Sequence, residues 1–158
     1  MIEYFLKIDG IPGESQNDSH KGEIDVVSWS WGEAQTVVTS GGGGSAAARV
    51  TLRDLQCSMQ VSKASPQLML ACASGKRIPI AVLSCRRAGE RQQDFLLIKV
   101  STVLVSAFET AGQQQSPLLD TVSLNFAKIE IEYREQSPTG AMGTAVKVGW
   151  DVAANRPV

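Results

Sequence analysis

Histidine occurs once in this chain, at His20, and the three cysteines, Cys57, Cys72 and Cys85, are odd in number and widely spaced. A nucleophilic triad needs a base beside its serine or cysteine. The single histidine falls in residues 14–22, a polar stretch that reads as an exposed loop, so hydrolysis of that kind is not expected. A metal site would have to draw on the same few side chains, and the thiols are expected to be free and packed as small apolar groups, as in a reducing cytosol. No apolar run approaches the ~20 residues of a membrane helix. The formal net charge of -1 gives neither nucleic acid nor an anionic membrane a field to follow. The opening residues MIEYFLKIDG are interrupted by Glu3 and Lys7 and lack the basic start and continuous apolar core of a signal peptide. Any export is therefore expected to bypass the general secretory route.

What the chain does hold is globular in character, with 43% apolar and 20% charged residues. A chain of 158 residues buries roughly 70% of its unfolded surface, which predicts a single domain over 1–158. Strand signals dominate. Ile2, Tyr4, Leu6 and Ile8 alternate with Glu3, Phe5 and Lys7, the two-residue period of a half-buried strand. Further strands are predicted over about 23–33, 49–61 (slipping near Asp54), 78–87, 94–108, 121–134 and 146–152. One helix is predicted at about 65–75, with Ser65 as its cap, Pro66 in its first turn and Gly75 at its end. Having no charge from Pro66 to Gly75, it is expected to be largely covered. These elements predict a mainly β fold, an antiparallel barrel with one short flanking helix.

Two strands differ in character. Over 128–134, Ile129, Ile131 and Tyr133 oppose Lys128, Glu130, Glu132 and Arg134, which reads as a solvated, salt-bridged face rather than a glycosidase pair. The strand over 95–108 is apolar on both faces, Phe95, Leu97, Val103 and Val105 against Leu96, Ile98, Val100 and Leu104. Its outer face calls for cover by the helix or by a neighbouring subunit.

The segment VVSWSWGEAQTVVTSGGGGSAAARV joins a stiff strand to a glycine run. Gly41, Gly42, Gly43, Gly44 and Ser45 are followed by alanines and a strand, without the lysine and helix of a phosphate loop. Trp29 and Trp31 share a face with Val27, a row expected to fill the barrel core. The alternative is an exposed aromatic platform, as in a monomeric carbohydrate-binding module. With the tryptophans inward, Ser28 and Ser30 face outward, on the side of Ile24 and Val26.

The runs IPGESQNDSHKGEIDVVSWSWG, SPQLMLACASGK, LNFAKIEIEY and KVGW, in this order, resemble the haemolysin-coregulated protein (Hcp) family, the inner-tube proteins of bacterial type VI secretion. The resemblance implies a non-enzymatic, cofactor-free β-barrel that assembles into a homohexameric ring with a wide lumen. Stacked rings would form a tube, driven out of the cell by a contractile sheath behind a VgrG-type spike. Small effector proteins would ride in the lumen, and the tube protein would pass from bacterial cytoplasm to the medium or a target cell without inserting in a membrane. Ser30, with Ser28, matches a lumen-facing position that contacts effectors. Residues 35–48, with Gly41, Gly42, Gly43, Gly44 and Ser45, match a loop used between rings. Residues 112–117 and the end AANRPV match no motif of the family.

Overall fold

The computed structural model describes residues 1–37, 49–89 and 93–158. In chain order its elements are β1 Ile2–Ile8, β2 Ile24–Val26, β3 Ser28–Ser30, β4 Glu33–Gln35, β5 Val50–Leu52, β6 Leu55–Gln60, α1 Ala64–Ser74, β7 Arg77–Arg87, β8 Asp94–Ala111, β9 Leu119–Asn125, β10 Lys128–Gln136, β11 Met142–Asp151 and β12 Arg156–Pro157. Adjacent strands run antiparallel throughout. The circuit β1, β7, β8, β9, β6, β3 returns to β1 through β2, because the consecutive short strands β2 and β3 pair with β1 and β6 respectively. Closure removes most of the sheet edges. The interior is filled by Leu6, Ile24, Leu55, Met59, Leu83, Val100, Val122 and Leu124, with Leu68 of the helix.

The long strand β8 joins two sheets. Its first half lies between β7 and β10; from Leu104 onward it pairs with β9 instead. At the changeover Thr102 takes φ 52°, a left-handed conformation that a β-branched residue rarely adopts. Ile98 and Val100 before it, and Val103 and Val105 after it, are all buried. The two apolar faces expected for this strand are thus largely one core face carried across a slip in the alternation. Simple two-residue counting assigned Val103 and Val105 to the wrong side.

A second slip sits between β2 and β3. Ile24 and Val26 are buried, whereas Val27 is 54% exposed, and Trp29 and Trp31 are half-buried against the core. Val27 therefore does not share the tryptophan row, and Ile24 and Val26 do not share the serine face. The chain changes partner here, and the Val27 N–H already bonds to Ser58 of β6.

The helix ends as expected on Gly75, at φ 67° with its N–H bonded to Ala71, a left-handed closure that glycine makes without strain. Its start differs. Lys63 occupies the cap position without a side-chain bond, and Ser65 lies inside the first turn, accepting from the Ser62 N–H. The helix is also not largely covered, contrary to expectation, since Ala64, Leu68 and Ala71 are buried but Met69 and Leu70 are exposed. A lone helix against a barrel offers one face to the core, whatever its other residues are.

The strand expected over 121–134 is two strands, β9 and β10, parted at Phe126 and Ala127, and that expected over 23–33 is three. The strand expected over 49–61 is likewise two, β5 and β6, and where a slip was expected near Asp54 the chain leaves one pairing, with β4, for another, with β3 and β9.

Candidate functional site

The second sheet presents a polar outer face built by register. Ser28 lies opposite Ser58, Ser58 opposite Thr121, and Thr121 opposite Glu109; the next row runs Ser30, Gln56, Ser123, Ala107. Between these rows Trp29, Cys57, Val122 and Phe108 turn inward. The Ser58 and Thr121 hydroxyls are 3.3 Å apart. Ser28 and Ser30 are exposed, as the sequence predicted. The two rows hold hydroxyls, an amide, a methyl group and one carboxylate. Such a face is polar and carries little charge.

The tryptophans beneath it are anchors. Trp29 meets Tyr4 edge-on, with ring centroids 6.1 Å apart, and the indole Nε1 of Trp31 is buried. A sugar platform needs the flat ring face open to solvent, so this packing leaves the carbohydrate-binding alternative without support.

On the other sheet, Lys99, Lys128 and Glu130 form ion pairs of 3.9 Å, and Arg134 reaches Glu132 at 3.3 Å. This is the solvated row expected for β10. The opposite face of the β10–β11 ribbon is apolar and runs out of the core. Ile129 opposite Trp150 is covered, whereas Val148 opposite Ile131 is 66% exposed and Val146 opposite Tyr133 is 65% exposed.

The polar segment 14–22 is not the exposed loop expected of it, since Ser15 and His20 are buried. The segment lies over the outer face of β1 and β7, where the His20 ring stacks on Phe5 with centroids 4.5 Å apart. His20 Nδ1 is 3.0 Å from both carboxylate oxygens of Glu23, and Nε2 is 2.8 Å from Asp94 Oδ1. Buried Arg86 donates to Asn17 Oδ1 at 2.8 Å. None of this cluster was legible in the sequence: His20 and Glu23 stand three residues apart, His20 in a stretch read as exposed, and Arg86 and Asp94 are remote in sequence and gave no signal. At Gly13 an added Cβ would come 2.5 Å from the Glu23 carbonyl oxygen, so the loop needs glycine there for close backbone approach.

All three cysteines are free. Burial pushes the Cys57 thiol up to about 12, with a contribution from Cys85, and burial with Asp94 pushes Cys85 up to about 11. Neither is a ready thiolate nucleophile. Asp25 is raised chiefly by burial, with Glu3 and Glu14 adding to the effect and a Ser15 hydrogen bond opposing it. Gly41, Gly42, Gly43, Gly44 and Ser45 lie outside the described residues, so the structure says nothing of that loop.

The family described as "Type VI secretion system effector, Hcp" matches residues 5–133. Protein hcp1 of Pseudomonas aeruginosa is 41% identical over 157 residues, covering 98% of this chain and 97% of that protein. The crystal structure of Hcp1 from Salmonella typhimurium superposes with a TM-score of 0.85 at 34% identity, over 99% of both chains. A solved "type six secretion system protein" gives a TM-score of 0.93 at 23% identity over the whole of both chains, a likeness of fold. With the fold, the register and near full-length relatives in agreement, the chain belongs to the Hcp family and is a tube protein of type VI secretion rather than an enzyme.

Proposed function

We propose that six copies of this chain close into a ring whose lumen is lined by the Ser28 and Ser30 face, and that rings stack into the secretion tube. The observation that carries this reading is the state of the sheet edges. In the order β3, β6, β9 and the distal half of β8, each neighbour is antiparallel, and among the described residues β3 and β8 beyond Leu104 each lack a partner on one side. The two outer strands therefore run in opposite directions. Setting β8 of one copy beside β3 of the next continues the antiparallel alternation, and repeating the rotation closes a ring instead of leaving edges open. The uncovered apolar residues Tyr133, Val146 and Val148, with Met69 and Leu70 of the helix, give neighbouring copies further surface to bury.

In this reading the neutral hydroxyl face holds small effector proteins loosely enough to release them. The arm over residues 35–48, with Gly41, Gly42, Gly43, Gly44 and Ser45, makes contacts between rings. A VgrG-type spike caps the tube, and a contractile sheath drives it from the cytoplasm to the medium or a target cell. Negative-stain microscopy of the purified protein tests the architecture. Six-fold rings are the expected result, and a monodisperse monomer at high concentration would count against it.

A further inference from the structure

We propose that two β-bulges, locked to each other at one end of the second sheet, set the direction in which β4 and β5 leave the barrel and so aim the arm those strands carry toward the next ring. The proposal rests on the ring-to-ring role given above to residues 35–48. Register defines both bulges. Ser30 lies opposite Gln56, and the Arg53 N–H bonds to the Gly32 carbonyl at 2.9 Å, in step with Glu33 opposite Leu52. Between Ser30/Gln56 and Gly32/Arg53 one strand advances by two residues and the other by three, so an extra residue sits at Asp54. The second bulge is in β8, where Val105 faces Leu124 and Ala107 faces Ser123, which leaves Ser106 as the extra residue. Such insertions bend a strand and re-aim a side chain.

The two extra residues are joined across β9. Asp54 continues the β6–β9 register to stand opposite Asn125, whose Nδ2 donates to Asp54 Oδ1 at 3.0 Å. Ser106 Oγ is 2.5 Å from Asp54 Oδ2 and 3.1 Å from the Ser123 carbonyl oxygen, so its single proton goes to the nearer carboxylate. Both oxygens of one carboxylate are thus held, one from β9 and one from β8. Asp54 lies where the chain passes from β5 to β6. A fixed Asp54 therefore fixes the angle between β5 and the barrel wall.

Beyond that root the two strands have little core to orient them. Leu52 packs against the barrel interior, but Glu33, Ala34, Gln35 and Thr51 are exposed. A cleft of about 170 Å³ lies between Glu33, Gln35 and Val50 on one side and Trp150 and Asn155 on the other. A pair of strands on its own is marginal in water, so the order of β4 and β5 depends on how their root is held.

Hydrogen exchange in assembled rings, with tube length from electron microscopy, tests the clip. Hydrogen-bonded pairs alternate along an antiparallel ladder, so after Gly32 and Arg53 the next bonded pair is Ala34 and Thr51. Asp54→Ala is expected to lower the protection of those two amides about tenfold, the scale of a lost hydrogen bond to a charged group. It should leave the Cys57 and Val122 amides of the sheet as protected as in the wild type, keep rings intact and shorten tubes. Asp54→Asn is expected to restore both readings, because its carboxamide oxygen accepts from Asn125 and its N–H donates to Ser106 Oγ. Ser106→Ala, which removes one bond only, should fall between. Unchanged protection in Asp54→Ala overturns the clip, whatever the tubes do. An equal loss in Asp54→Asn also overturns it, since charge would then be acting in place of the two bonds. Loosened strands with tubes of wild-type length overturn the aiming role, and deletion of Gly41, Gly42, Gly43 and Gly44 places the fault. Tubes shortened by the deletion but not by Asp54→Ala put it on the clip; tubes shortened by neither put it on the arm as a ring contact.

Discussion

Ser65 of the helix donates its hydroxyl to the carboxylate of Asp120 on β9, and Asp120 is fully buried. The other carboxylate oxygen, Oδ1, has no hydrogen-bond partner among the described residues, so the Ser65 hydroxyl is the one donor that the side chain of Asp120 has there, and it ties helix to barrel beside the buried Ala64, Leu68 and Ala71. Ser65→Ala is expected to cost about 1–3 kcal/mol, because it removes a hydrogen-bond partner from a carboxyl group buried away from water. Urea unfolding measures the loss, and an unchanged midpoint would show that the tie is redundant.

Stability should also decline in alkali. Burial raises the Cys57 thiol from 9.0 to about 12 and Cys85 to about 11. Above pH 9 the unfolded chain gives up these protons while the folded chain retains them. The unfolded state then binds fewer protons, and stability falls by up to about 1.4 kcal/mol per pH unit for each thiol. The contribution is fully present below pH 9 and lost as pH rises toward the folded values. Denaturant midpoints at successive pH values should fall above pH 9, and less steeply in Cys57→Ala; identical slopes would contradict the assignment.

Ser30→Arg places a long cation on the hydroxyl face beside Gln56, its register partner. The side chain is exposed and touches no core residue, so folding and rings should survive, while retention of an effector in a pull-down should drop. Unchanged retention would remove Ser30 from the proposed lumen.

Deleting Gly41, Gly42, Gly43 and Gly44 is expected to leave hexamers intact and to shorten stacked tubes. Electron microscopy gives tube length. Tubes of wild-type length would show that the arm does not join rings.

Val148→Lys tests the ribbon. In the free subunit Val148 is largely exposed, so the change should alter stability by no more than about 0.5 kcal/mol. In a ring that buries the ribbon it should shift the sedimentation profile toward monomer, and an undiminished ring peak would place this face outside the subunit contact.

Much of the wall was legible in the sequence. Alternation located β1, strand signals between polar turns located β7 and β8, the serine–tryptophan pattern placed Ser28 and Ser30 outward, and Gly75 marked the helix end, while β9 and β10 were read as one strand. Period counting failed at Val27 and at Thr102. Each lies where a strand changes partner, and one displaced residue inverts every side chain beyond it. The reading of Met69 and Leu70 failed for another reason: composition does not tell which helix face a barrel will meet.

By itself the sequence determined the local order of the molecule, with short strands of two-residue period, a single helix, and motifs shared with the Hcp family. Those properties depend on neighbours a few residues apart. Only the tertiary structure decided that His20 is enclosed between Glu23 and Asp94 rather than exposed, and that Ser28, Ser58 and Thr121 form one row. It alone left β3 and the end of β8 unpartnered, among the described residues, on opposite sides of the second sheet. Such relations are set by which distant strands pair and in what register, and chain closure brings together residues whose separation in sequence carries no sign of their contact.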